Sequence, residues 1–195
     1  FRGGFTREAA YAVADASLAS LAALTDKSLV RRVSSGRFDL HELVKQFAAE
    51  KLAAAPDTMA ETEERHARYF AGWLWQKSAG LKSREQFNAL DALRAEKHNL
   101  RGAWDWLVRQ REDELLLNLL PDLILFFEMD GEHATAREMM ARLVKAMRDS
   151  REDEPAGETE MGLLSMALAG LRHFSRDPRD FETSFALQRE SLALA

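Results

Sequence analysis

The chain has 195 residues, a hydrophobic fraction of 46% and a formal net charge of -5, which suits a folded chain that buries a core and argues weakly against nucleic-acid binding by the whole surface. It contains no cysteine, so disulfides and thiolate metal sites are excluded, and a reducing, cytoplasmic setting is the expectation. The longest apolar runs, 115–120 and 123–127, are divided by Pro121 and Asp122 and are too short to cross a bilayer.

Residues 1–5 lack the basic start and long apolar core of a signal peptide, and the first residue is Phe, so a fragment of a longer protein is expected. Residues 6–14 predict a short helix with Phe5, Ala9, Ala10 and Val13 on one side. Ser17 is placed as the N-cap of a second helix carrying Leu18, Leu21, Ala22 and Leu29. Residues 29–33 and 37–40 then flank Ser34, Ser35 and Gly36, a pattern that predicts a β-hairpin. Residues 41–54 resume a helical period through Leu43, Val44, Phe47, Ala48 and Leu52 and stop before Pro56. The order helix, helix, hairpin, helix predicts a small winged-helix unit over 1–55.

From Thr58 onward all signals are helical. Thr58 with Glu61, and Ser83 with Gln86, fit the capping box, so helices are expected to start there. The first carries a stripe of Met59, His66, Tyr69, Phe70, Trp73 and Leu74; the second carries Phe87, Leu90, Leu93, Leu100, Trp104, Leu107 and Val108. Gly102 interrupts the second stripe at a cost of about 1 kcal/mol relative to Ala, with close helix approach or a bend as possible reasons. Of the tryptophan pairs 73/75 and 104/106, one member each is expected in the core, because residues two apart face different sides of a helix. These two helices form a connecting pair over 56–112.

The remainder, 113–195, contains an internal repeat. Leu115, Leu116, Leu120, Leu123 and Phe126 recur as Leu163, Leu164, Leu168, Leu171 and Phe174 at a constant offset of 48. Turns at 129–132 and 175–180 follow, with second helices opened by His133 and Phe181, which predicts stacked helical hairpins. The last helix ends without a polar cap, so the array is expected to continue past Ala195. The run 151–154 reads as a charged linker, and Glu61, Glu63 and Glu64 as a solvated face.

No Gly-x-x-x-x-Gly-Lys-Ser/Thr loop is present, and the five histidines (His41, His66, His98, His133, His173) show no metal-binding spacing, so no catalytic or metal site is expected within the chain.

Residues 1–6, 24–30 and 37–48 together resemble the winged-helix region that follows the nucleotide-binding domain in bacterial STAND-class (NB-ARC/AP-ATPase-like) signal-transduction ATPases. Glu96-Lys97-His98-Asn99-Leu100-Arg101-Gly102-Ala103 is similar to the Glu-x-x-Asn-Leu-Arg-x-Ala segment leading into tetratricopeptide-like (TPR-like) repeats in those proteins. The offset of 48 exceeds the usual 34-residue tetratricopeptide period and favours the longer-helix variety of maltose-regulator-like activators, or a degenerate array. The resemblance implies a mainly α fold, with a winged helix followed by a TPR-like right-handed superhelix. It implies a non-catalytic regulatory region of a switch ATPase whose upstream domain holds ADP or ATP, with a protein or inducer received on the repeats. Leu40-His41-Glu42 falls where related switch ATPases carry Met-His-Asp, which makes His41 the candidate contact to the β-phosphate of ADP. Glu42 and Leu40 depart from that motif, and the competing reading is that His41 only caps or packs at its helix.

The alternative function is a DNA-binding regulator, with Arg31, Arg32 and Arg37 on the wing meeting phosphates. Residues 1–54 carry eight Lys/Arg against six Asp/Glu, a slight net of +2. The helix in the recognition position turns Ala19, Ser20, Ala23, Asp26 and Lys27 outward, a poor set for bidentate base contacts.

Overall fold

A computed structural model describes residues 1–33, 36–149 and 157–175, with isolated helical positions at 186, 189 and 193. The protein is mainly α. Among the described residues the order is α1 (Arg7–Ala14), α2 (Leu18–Asp26), β1 (Val30–Arg32), β2 (Phe38–Leu40), α3 (Glu42–Ala53), α4 (Pro56–Ser78), α5 (Gln86–Gln110), α6 (Asp113–Asp130), α7 (His133–Asp149) and α8 (Glu158–Phe174). A short 3-10 turn, Ala79–Lys82, lies between α4 and α5. The chain divides into two compact units: Phe1–Leu74 with Ala92–Trp106, and Trp75–Asp91 with the described residues from Leu107 onward. Helices α4 and α5 therefore contribute to both.

In the first unit, Thr6 caps α1 by accepting the Ala9 amide, and Asp15 ends the helix in the left-handed region. Ala9, Ala10 and Val13 are buried, as their spacing predicts. Ser17 caps α2 as expected, yet only Leu21 of that helix is buried; Leu18 and Leu29 are exposed. The hairpin pairs Val30 with Leu40, Arg31 with Asp39 and Arg32 with Phe38, and Gly36 takes the positive φ of the turn. A strap over residues 2–5 lies beside it, with Phe5 and Phe38 exchanging both backbone hydrogen bonds at 2.9 and 2.8 Å. Gly4 has φ +83 and an added Cβ would stand 2.9 Å from the Phe38 carbonyl oxygen, so the strap reaches the strand only with glycine there. The rings of Phe1, Phe5, Phe38, His66 and Phe70 form a continuous cluster beneath it.

Several expected boundaries shift for local reasons. Helix α4 begins at Pro56 rather than Thr58, because proline needs no amide donor in a first turn and its φ is already helical. Ser83 accepts from the Glu85 amide and donates to the Gly80 carbonyl, closing the 3-10 turn, so α5 starts at Gln86 instead. Phe87 is 78% exposed; the buried stripe opens only at Ala89 and Leu90. Trp73 is half-buried and Trp75 exposed, but both Trp104 and Trp106 are buried, since α5 is covered on more than one side over Ala103, Trp104 and Trp106. At Gly102 a Cβ would find only ordinary contacts, 3.5 Å from His66 and 3.8 Å from Arg2, and α5 continues through it.

In the second unit, α6, α7 and α8 pack on one another. The repeat is visible in burial: Leu116, Leu120 and Phe126 match Leu164, Leu168 and Phe174, all in the core. Pro121 sits inside α6, whose Asp122 accepts from the Ser78 hydroxyl at 2.6 Å. Gly131 ends α6 at φ +76 and His133 opens α7, as the turn chemistry predicts. At Gly170 a Cβ would come within 3.1 Å of Ile124 and 3.3 Å of Met140, so α8 approaches its neighbours closely there. The linker at 151–154, the turn after Ser175 and the helix expected from Phe181 lie outside the described residues.

Candidate functional site

Helix α3 is the part of the first unit whose apolar face meets least protein. None of its residues is buried, and Leu43 and Phe47 are 69% and 60% exposed. The sequence pattern placed Leu43, Val44, Phe47, Ala48 and Leu52 toward a core; the structure instead leaves Leu43 exposed and sets the other four along an open groove of about 570 Å³, lined also by Leu24, Leu29 and Leu40. The single charged group lining it is Lys51, whose ammonium lies 5.4 Å from the Phe47 ring centre. Amphipathic periodicity identifies such a face correctly but does not say whether its partner lies in the same unit.

His41 stands at the head of this helix as its N-cap, exposed, with Nδ1 accepting from the Leu43 amide at 3.4 Å. Accepting at Nδ1 places the hydrogen of the neutral ring on Nε2, which leaves an N–H able to donate to an anionic oxygen. The capping role and an anion contact therefore use different ring nitrogens and are compatible.

The three wing arginines differ in what they do. Arg31 donates to Asp39 directly across the hairpin at 2.8 Å, and that guanidinium is the leading cause holding the Asp39 carboxyl below its ordinary range. Arg37 is drawn inward to an ion pair with Glu96 and a longer contact to the Ala95 carbonyl. Arg32 is exposed with no partner among the described residues. Arg37 is thus neutralised by a buried carboxylate, while Arg31, 68% exposed, shares the single charge of Asp39 with Lys45.

The motif residues Glu96 and Asn99 are the most buried polar side chains of the first unit, 2% and 0% exposed. Three residues apart on α5, they share one helix face. Asn99 accepts the Arg2 amide at 2.6 Å, donates to the Gly4 carbonyl at 2.9 Å and to Glu96 at 2.7 Å. His66 Nε2 lies 3.5 Å from Asn99 Oδ1. Burial, followed by nearby positive charge, pushes the His66 imidazole down to about 4. The sequence marks the Glu-x-x-Asn segment by resemblance alone; its partners, 33 to 97 positions away, leave no local trace.

In the second unit, Arg111 ends α5 with φ 56 and chelates Asp113 at 3.1 and 2.8 Å while also donating to Glu160 at 2.8 Å. Its guanidinium is held strongly protonated, first by Asp113. His133 and His173 both approach Glu128, at 3.5 and 2.8 Å, although far apart in sequence. No group of three or more His, Cys, Asp or Glu able to hold a metal occurs among the described residues. None of the described helices is long and apolar enough to cross a membrane.

Compared with known protein families, with curated proteins and with solved structures, the chain matches none.

Proposed function

We propose that the chain is a non-catalytic regulatory region of a nucleotide-dependent switch ATPase of the STAND class. In this reading the first unit, up to α3, is a winged helix that docks on an upstream ADP-binding module. The helices from α6 onward begin a TPR-like right-handed array that receives a protein or inducer in the cytoplasm. The observation that carries it is α3: an amphipathic helix with no fully buried residue, which exposes Leu43 and Phe47 and is headed by a histidine whose Nε2–H is available to a phosphate. Docking would cover the groove and bring His41 to the nucleotide in one movement.

The DNA-reading alternative draws less support, because Arg37 is engaged with the buried Glu96, and the exposed Arg31 and Arg32 belong to a unit of only slight net positive charge. The docking reading is tested by Phe47→Asp in a protein that includes the preceding sequence. A carboxylate in the covered groove is expected to separate the two parts, seen as new protease cleavage between them with the first unit intact. Unchanged protection, or a preceding sequence without a phosphate-binding loop, would refute docking on a nucleotide module.

A further inference from the structure

The strap and the hairpin are separate stretches of chain, yet both terminate on the same two side chains of α5. Glu96 receives Arg37 of the hairpin on one carboxylate oxygen and Asn99 on the other. Asn99 in turn holds the strap at two points, the Arg2 amide and the Gly4 carbonyl. Strap and hairpin are joined directly by the Phe5–Phe38 pair. The hydrogen bonds therefore run in a closed circuit through strap, Asn99, Glu96, Arg37, Phe38 and back to the strap.

We infer that Glu96 and Asn99 are positioning residues that make the seating of strap and hairpin on α5 a single event, so that neither leaves without the other. The reason is the burial of Glu96. Its charge is met by one guanidinium; if the hairpin withdraws Arg37, a carboxylate is stranded in a site that excludes water, a situation far more costly than an exposed broken pair. The least costly response is to open the site, and the water that reaches Glu96 reaches Asn99 as well, loosening Arg2 and Gly4. Conversely, loss of the strap uncovers Asn99 and Glu96 and weakens the hold on Arg37. Networks of this kind are expected to respond non-additively. The inference concerns how the unit is held together and stands whether or not the first unit docks on a nucleotide module.

Amide hydrogen exchange on the 195-residue chain tests it. The Arg2 amide, bonded to Asn99, reports the strap, and the Val33 amide, bonded to the Arg37 carbonyl at 2.9 Å, reports the hairpin. In Arg37→Met both are expected to exchange at least about tenfold faster, while α7 amides are unchanged. Asn99→Ala is expected to accelerate Val33 although Asn99 makes no hydrogen bond to the hairpin among the described residues, and the double variant should exceed neither single variant. Adding Glu96→Gln to Arg37→Met removes the stranded charge and is expected to return part of the protection at Arg2. A faster Val33 with an unchanged Arg2 in Arg37→Met, or additive effects in the double variant, would overturn the inference. If Arg37→Met does not fold, Glu96→Gln alone, which weakens the hold on Arg37 and on Asn99 without stranding a carboxylate, is expected to accelerate Arg2 and Val33 together, and acceleration of one without the other would overturn the inference.

Discussion

Gly4, His66 and Glu96 each occupy a position that only a narrow range of side chains tolerates, and the first two give separate tests. Gly4→Ala places a methyl against the Phe38 carbonyl in a left-handed backbone conformation, so a loss of at least about 1–2 kcal/mol is expected in denaturant unfolding. His66 is held neutral in the folded state down to about pH 4, whereas the unfolded chain takes up that proton near 6.5. Its folded value is depressed, so stability is full above about 6.5 and falls as pH drops toward 4, by up to ~1.4 kcal/mol per pH unit, with no further loss from this group below. His66→Phe keeps the ring packing against Phe70 and is expected to flatten the unfolding free energy across that window; an unchanged slope would locate the titration elsewhere. None of these roles is legible in the sequence, because the partners of Gly4, His66 and Glu96 come from distant chain segments.

Elements were legible where the pattern and its partner lie close together in sequence. Helix α1, the Ser17 cap of α2, the hairpin with its Gly36 turn, and the repeat shared by α6 and α8 all follow from periodicity and turn chemistry. Helix α3 shows the limit, since its apolar period is readable in the sequence, as that of α6 is, but of the two only α6 is covered in its own unit. The two helices should therefore differ sharply on mutation. Leu120→Ala is expected to cost about 2–5 kcal/mol, because its side chain is fully enclosed. Leu43→Ala, at an exposed site, should stay within about 0.5 kcal/mol in the isolated chain. A large loss for Leu43→Ala would mean that α3 is already covered.

At the scale of the whole chain, the described residues hold no metal cluster, and the sequence contains no phosphate-binding loop; what they offer is an uncovered helix face beneath a capping histidine. Length, composition and element order carried the mainly α architecture with its early hairpin. The division into two units, with α4 and α5 shared between them, was not visible from boundaries drawn at prolines and turns, because it depends on which stretches of two long helices meet which neighbours. The account's central claim is that the first unit closes on an ADP-binding module through α3 and His41. It is tested most directly by the ADP retained through gel filtration by a protein comprising this chain and its preceding sequence, wild type against His41→Ala. Loss of one charge-assisted hydrogen bond predicts about tenfold weaker retention in the variant. Retention equal to wild type would contradict the claim.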